Sequence, residues 1–318
     1  MTFTQLKYLV AVAKHRNFTK AAKEVHATQP TLSMQIKALE DELGIKIFDR
    51  SKNPLRITSI GEKIIEQAKK IISENKKIEE IVKSEKGYVG GKFKLGIIPT
   101  VSPTLLPIFL KDFLKKYPDV YLEIYELTTE EIVRKLKNEE LDAGLLATPL
   151  EDPQIEELPL YNEPFVAFIP KGHRLYGKEK LRDEDLAVDD ILLLEEGHCF
   201  RDNILNICRS DNIFPDDFYL ETGSFDTLIK LSKEGLGMTL LPYLHTLDMC
   251  EEDRQYLKNF EKPEPAREIS LIHYKAYYKK GIVNALYKLI KGIIKGMIMF
   301  QDVRVISPLP KKPVYGKP

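Results

Sequence analysis

The stretch from residue 59 to residue 91 leaves this chain few ways to fold. Ile64, Ala68, Ile71, Asn75, Ile78 and Val82 recur with alternating steps of four and three, and most of the residues between them are charged. That spacing is the seam of a coiled coil. Asn75 is its one polar seam position, a residue type that defines register at some cost in stability. A stripe this narrow needs a partner, so the segment predicts a helix that dimerises. Gly87, Gly90 and Gly91 then break the helix and supply a hinge. The chain is thereby divided into a head (1–58), a connector (59–91) and a body (92–300), with a tail (301–318) rich in Pro and Lys that reads as disordered.

Charge follows the same division. Residues 1–58 hold ten Lys or Arg against five Asp or Glu, although the 318-residue chain as a whole has a formal net charge of zero. A basic head on an acidic body points to a nucleic-acid partner for the head. No charged, apolar, then small-residue leader opens the sequence, and no apolar run has membrane-spanning length. The stretch 282–300 is interrupted by Lys288, Lys291 and Lys295, which marks an amphipathic helix. With Cys199, Cys208 and Cys250 alone, there is no secreted disulfide framework. The expected compartment is the reducing cytoplasm, with no membrane contact.

Within the head, Leu6, Leu9, Val10 and Ala13 mark one helical face, and Phe18, Ala21, Ala22 and Val25 a second, for which Thr19 is a candidate cap. Thr28 or Gln29 opens a third helix, with Pro30 acceptable in its first turn. Leu32, Ile36, Leu39 and Leu43 form its buried stripe, and Gly44 ends it. The opposite face offers Thr31, Ser33, Gln35 and Lys37, short polar groups, an amide and a cation suited to base edges and phosphates in a major groove. Residues 45–48 and 55–58 read as two short strands around a turn. Arg50 and Arg56 flank this wing, where they could touch phosphate or minor groove. The head is a winged helix-turn-helix.

The body alternates strands with helices: 94–98, then Leu105 to Phe113 as a helix, 120–126, a helix through Ile132 and Leu136, and 143–147. This predicts a mostly parallel α/β sheet. A second unit from about 163 to 267 repeats the theme with strands at 164–169, 191–194, 219–222 and 238–241, and the chain then returns to the first unit. Two lobes are expected, one of about 92–162 with 268–300 and the other of about 163–267. In such sheets ligands sit beyond the carboxyl ends of strands. Thr100, Thr128 with Thr129, and His198 with Cys199 all follow strand ends here. Thr128 to Glu131 matches a capping box, which leaves Thr129 free to face the cleft.

Cys199 lies beside His198 and two residues from Arg201, at the expected start of a helix. Cations and a helix N-terminus both favour the thiolate, the form that attacks an oxidant. Cys208 falls on the apolar side of that helix with Phe200, Ile204 and Ile207. If the segment is helical, the two cysteine alpha carbons stand roughly 13 Å apart on opposite faces, whereas a disulfide needs them within about 7 Å. Joining them would remodel the helix, a poor staple and a good switch. Spacing alone is equally compatible with two ordinary thiols, one in the core and one at the surface. Cys250, in an acidic segment, reads as a surface or packing thiol.

Ala21-Ala22, Thr28-Gln29-Pro30, Leu32-Ser33, Gln35-Ile36, Leu39-Glu40, Leu43-Gly44, Phe48 and Arg50 together resemble the DNA-binding domain of the LysR-type transcriptional regulators. The resemblance implies that Gln29, Pro30, Thr31, Ser33 and Gln35 face DNA, with Arg50 and Arg56 as phosphate or wing contacts, and it implies a linker helix after the head and a two-lobed body similar to periplasmic binding proteins. Thr100, Thr129, Gly197-His198-Cys199, Arg201-Asp202 and Cys208 extend it to the peroxide-sensing members of that family. It implies Cys199 as the peroxidatic thiol and Cys208 as the resolving one, with Thr100, Thr129 and His198 binding peroxide and Arg201 and Asp202 supporting the site. It further implies double-stranded DNA and RNA polymerase as partners, a homodimer or homotetramer, hydrogen peroxide as signal, no cofactor or metal, and no enzymatic turnover. Two alternatives stand beside this reading. One is a regulator of the same fold that answers to a small metabolite in the interlobe cleft. The other is a thiol peroxidase or oxidoreductase, against which count the basic head and the lack of a Cys-x-x-Cys pair.

Overall fold

The computed structural model describes residues 1–50, 55–85, 87–186, 191–208, 222–275, 279–298 and 302–309. The chain folds as two compact units divided between Lys86 and Gly87. No described helix is long and apolar enough to cross a membrane.

The first unit is built from α1 (Phe3–His15), α2 (Phe18–Glu24), α3 (Gln29–Leu43), β1 (Phe48–Asp49), β2 (Arg56–Ile57) and α4 (Ser59–Glu85). Its core gathers Leu6, Leu9, Val12, Ala21, Leu32, Ile36 and Leu39 beneath Ile47 and Phe48. Thr28 caps α3, its hydroxyl accepting from the Thr31 amide, and Gly44 ends the helix in the left-handed conformation that glycine adopts without strain. Asn17, not Thr19, caps α2, because the Asn17 carboxamide is placed to accept from the Lys20 amide. Leu43 ends up partly exposed at the end of its stripe. The wing strands are two residues each and antiparallel, and the expected turn at 51–54 lies outside the described residues.

The connector forms as one helix, but its stripe divides into two parts. Ile65 and Ala68 are buried in the core of the first unit, and Ile64 packs partly against it. Beyond that point Ile71, Ile78, Ile81 and Val82 are exposed, and Asn75 is half-buried. The expectation of a partner-facing seam beginning at Ile64 is therefore corrected. The first turns of α4 already have apolar surface of their own chain to cover.

The second unit contains β3 (Gly91–Ile97), α5 (Ser102–Lys116), β4 (Val120–Glu126), α6 (Thr129–Lys137), β5 (Ala143–Thr148), β6 (Ile155–Phe168) and β7 (Lys180–Leu181). These are followed by α7 (Cys199–Ile207), α8 (Phe225–Lys233), β8 (Thr239–Pro242), α9 (Tyr243–Leu247), α10 (Glu251–Arg254), β9 (Leu257–Phe260), β10 (Glu264–Tyr274), α11 (Lys280–Lys295) and β11 (Val303–Val305). The main path of the sheet runs β4-β3-β5-β10-β6-β9-β7, with β8 paired to β6 and β11 to β10. β3, β4 and β5 are parallel, yet β10 is antiparallel to both β5 and β6. The sheet is thus mixed rather than mostly parallel, because β6 and β10 are long strands that cross from one lobe to the other. β6 places Leu160 and Tyr161 in one apolar core and Phe165, Ala167 and Phe168 in the other. Ile191 to Leu194 does not form a full strand and makes a single bridge from Ile191 to Met238. The strand expected at 219–222 falls almost wholly outside the described residues.

The tail is corrected as well. Residues 303–305 add a parallel strand to β10, and Ile306 is buried in the second core. A Pro- and Lys-rich composition did not reveal a strand this short.

Gly96 of β3 and Gly144 of β5 lie side by side in register beneath Ile132 of α6. A methyl at Gly144 would meet Ile132 Cγ2 at 2.5 Å and Ile272 Cγ1 at 3.1 Å. Gly144→Ala should therefore overpack the seam and destabilise this unit by about 1–3 kcal/mol, read from the midpoint of urea unfolding. An unchanged midpoint would show that α6 is not seated on these glycines.

Candidate functional site: a buried thiol at the lobe crossing

Four elements build the site around Cys199 and Arg267. The turn after β3 supplies Thr100, and the start of α6 supplies Thr129. β10 supplies Arg267, and α7 begins at Cys199 itself. Thr128 forms the expected capping box with Glu131, so Thr129 is left to face the thiol. Gly197, with φ of +89°, makes the turn that delivers His198 and Cys199 to the helix start, a backbone conformation costly for other residues.

The thiol at the start of α7 is enclosed. Cys199 is 6% exposed and packs in the core of the first lobe. Burial raises its pKa above the ordinary thiol value, opposed by the positive charge of Arg267 and by hydrogen bonding from Thr129 and the Ala147 backbone. The nearby Asp202 carboxylate adds to the rise, and burial raises the pKa of Asp202 itself. The helix N-terminus also favours negative charge on Cys199. The Thr129 hydroxyl is buried and, the thiol apart, has no hydrogen-bond partner. An unpaired buried hydroxyl costs about 1–3 kcal/mol, a cost that a small polar molecule beside the thiol would offset. A groove of about 430 Å³ lies along α6, lined by Thr129, Glu130, Val133 and Leu150 among others.

The cation that matters was not among the expected site residues. Arg267 is fully buried: its Nε and Nη2 donate to Glu163 Oε2 at 3.0 and 2.8 Å, Nη1 to Thr100 Oγ1 at 2.8 Å, and Nη2 to the Thr100 carbonyl at 3.0 Å. It lies over the Phe200 ring at 5.0 Å. Glu163 and Arg267 are direct partners in the β6–β10 ladder, and Glu163 Oε1 accepts from the Leu244 amide at 3.0 Å. Because Arg267 uses Thr100 Oγ1 as an acceptor, the Thr100 proton is left to donate. The sequence signal was faint: Glu163 is one of three glutamates on β6, and Arg267 stands next to Glu268 on β10.

The remaining expected residues have supporting positions. Arg201 donates from Nη1 to the Leu194 carbonyl at 3.0 Å, holding the loop before α7. His198 is buried, with Nε2 3.4 Å from Glu195 Oε1. Cys208, the C-cap of α7, is buried in the core of the second lobe, so the two cysteines belong to different cores. None of the three cysteines is in a disulfide, and Cys250 is exposed.

In the first unit, Gln29, Pro30, Thr31 and Lys37 are exposed along α3, with Ser33 and Gln35 half-buried. Met34, which sequence reasoning passed over, is 62% exposed on the same helix; its apolar side chain suits a thymine methyl. Arg56 is exposed on the wing. Arg50 is committed in part to the fold, donating to Ser33 Oγ at 3.2 Å and Glu40 Oε2 at 3.3 Å and lying over Phe18. Glu40 also accepts from the Ile47 and Phe48 amides, which fixes α3 against the wing.

Removing one member of the Glu163–Arg267 pair should be costly, because the other charge stays buried. Arg267→Met is expected to lose about 3–5 kcal/mol of stability, and the double variant Arg267→Met with Glu163→Leu to recover part of it. Urea unfolding of the three proteins measures this. A double variant less stable than the single one by an additive amount would contradict the pairing.

Two family models match the chain. Residues 3–62 match the bacterial regulatory helix-turn-helix protein, lysR family, and residues 86–292 the LysR substrate binding domain. The chain is 33% identical over 273 residues to the hydrogen peroxide-inducible genes activator of Pectobacterium carotovorum subsp. carotovorum, covering 86% of this chain and 90% of that protein. It is 34% identical to the DNA-binding transcriptional dual regulator OxyR of Escherichia coli K12, with 86% and 89% covered. Among solved structures, a full-length OxyR variant from Pseudomonas aeruginosa superposes with a TM-score of 0.67 at 32% identity, covering 92% of this chain and 98% of that one. A hydrogen peroxide-bound OxyR mutant from Corynebacterium glutamicum gives 0.62 at 28%, with 96% and 98% covered. With a basic winged helix-turn-helix ahead of a two-lobed sheet built around a buried thiol, this chain belongs to the LysR family of bacterial helix-turn-helix regulators, among its OxyR-like members.

Proposed function

We propose that this regulator senses hydrogen peroxide through Cys199 and transmits the signal by a Cys199–Cys208 disulfide that remodels α7. The observation that carries the reading is the Cys199 thiol, buried against the Thr129 hydroxyl and within the field of Arg267, with a second buried thiol at the other end of the same helix. The names of its relatives, peroxide-inducible activators, support the choice of oxidant.

In the first step the Cys199 thiolate attacks one oxygen of hydrogen peroxide. The O–O bond breaks, a C–S–O–H sulfenic acid forms, and the other oxygen leaves as water after taking a proton. Thr100 and Thr129 hydroxyls and the His198 ring hold the two oxygens, and Arg267 stabilises the negative charge as it moves from sulfur to the leaving oxygen. In the second step the Cys208 sulfur attacks the Cys199 sulfur and expels a second water. The two thiols lose two electrons in all, and the peroxide gains them.

Across a regular α7 the cysteine alpha carbons are about 13 Å apart, and a disulfide demands less than about 7 Å. At least one thiol must leave its core, so oxidation carries a change in packing into the second unit. The response then reaches double-stranded DNA through the exposed face of α3, with RNA polymerase as the activated partner. Assembly as a homodimer or homotetramer uses the exposed Ile71, Ile78, Ile81 and Val82 stripe beyond the buried turns of α4. The cytoplasm, reducing at rest, is where such a disulfide signals.

Peptide mass mapping after brief exposure to about one equivalent of peroxide tests the chemistry. Wild type should yield a Cys199–Cys208 disulfide, and Cys208→Ser a sulfenic acid at Cys199, since peroxide selects the most reactive thiolate. Three thiols that remain reduced, or that oxidise together only at large excess, would overturn the reading.

A further inference from the structure

The segment after α11 holds the redox helix in place. β11 pairs in parallel with residues 264–266 of β10, and the Ile306 amide donates to the Ala266 carbonyl at 2.7 Å, directly before Arg267. The Ile306 side chain shares a core with Ile204, Ile207 and Cys208. Arg304 forms an ion pair with Asp183. From the helix side, Asn203 Nδ2 donates to the Ile306 carbonyl at 2.8 Å, and Asn206 Nδ2 to the Ser307 and Leu309 carbonyls at 2.9 and 2.8 Å.

Asn203 and Asn206 both lie between Cys199 and Cys208, one helical step apart, so they present the same side of α7 to the tail. Any path that brings the two cysteines together must break the helix in this interval. It therefore also breaks these three hydrogen bonds and separates Ile306 from Ile204 and Ile207. The tail contacts exist only while α7 is intact, so their free energy is assigned wholly to the reduced state. A group that binds one of two states shifts the equilibrium by its differential interaction alone.

From this geometry we propose that residues 302–309 are a latch: they fasten α7 in its reduced, helical form, set the oxidation threshold of the Cys199–Cys208 pair, and detach when the disulfide forms. The inference rests on the disulfide reading above. It adds that a segment distant in sequence from both cysteines governs how readily they join.

The test uses the full chain, Asn206→Leu, which removes two of the latch hydrogen bonds, and a chain ended after Gln301, each equilibrated against dithiothreitol at graded ratios of oxidised to reduced reagent. Two net hydrogen bonds correspond to a shift of about tenfold toward the disulfide, and deletion of the tail should shift it further. Sulfenic acid formation at Cys199, measured in a Cys208→Ser background, should not change, because the latch acts after that step. In wild type, hydrogen exchange at the Ile306 amide should be slow when reduced and fast when oxidised, a readout that needs no variant. If the disulfide forms in every protein with the same equilibrium constant within about twofold, or Ile306 stays protected after oxidation, the latch is wrong and the disulfide reading stands. If no Cys199–Cys208 disulfide forms in any of them, both fail together.

Discussion

One buried ion pair fixes the geometry on which the second unit depends. Glu163 and Arg267 are each about 1% exposed at the side chain, and taking both charges from water costs several kcal/mol per ion unless their hydrogen bonds are met. Here they are met from both lobes. Arg267 is shared between Glu163 and Thr100, and Glu163 also takes the Leu244 amide. An apolar pair could fill the volume, but it would impose no such orientation. The ion pair specifies how β6 and β10 cross, where the Thr100 hydroxyl points, and where a positive field stands beside Cys199.

That field works against burial. The thiol is enclosed enough that its proton is held more tightly than in water, while Arg267, Thr129 and the backbone of Ala147 pull the other way. The balance leaves mostly thiol at neutral pH, ready to form thiolate in a site whose charge stabilisation is already in place. Enclosure also favours a small oxidant over bulky thiol reagents. Cys199 and Cys208 lie in two different cores, so a bond between them would require at least one to leave its packing.

Much of this was legible in the sequence where a local rule decides the outcome. The Thr28 entrance and Gly44 stop of α3, the Thr128 capping box and the limits of β4 follow from caps and periodicity, which act over a few residues. Elsewhere tertiary context decided. Asn17 displaced Thr19 as a cap through the local path of the chain. Ile65 and Ala68 turned toward a core that the seam pattern does not reveal. The mixed sheet arises from β6 and β10, whose partners lie about a hundred residues away. Arg267 was passed over because an arginine between Glu264 and Glu268 resembles a surface residue until its partner is known. The expectation that His198 and Arg201 activate Cys199 left out Arg267, whose positive charge opposes the effect of burial on the thiol from a different element.

The central claim is that Cys199 reacts as a thiolate formed from a buried thiol whose proton is held more tightly than usual. The most direct measurement is the rate of Cys199 oxidation by peroxide in Cys208→Ser, followed from about pH 6 to about pH 9. A pKa raised by burial predicts a rate that climbs across the whole range, because the reactive fraction grows as the proton is lost. A rate already level by about pH 7 would mean a thiolate fully formed at rest, the signature of a depressed pKa, and would contradict the account.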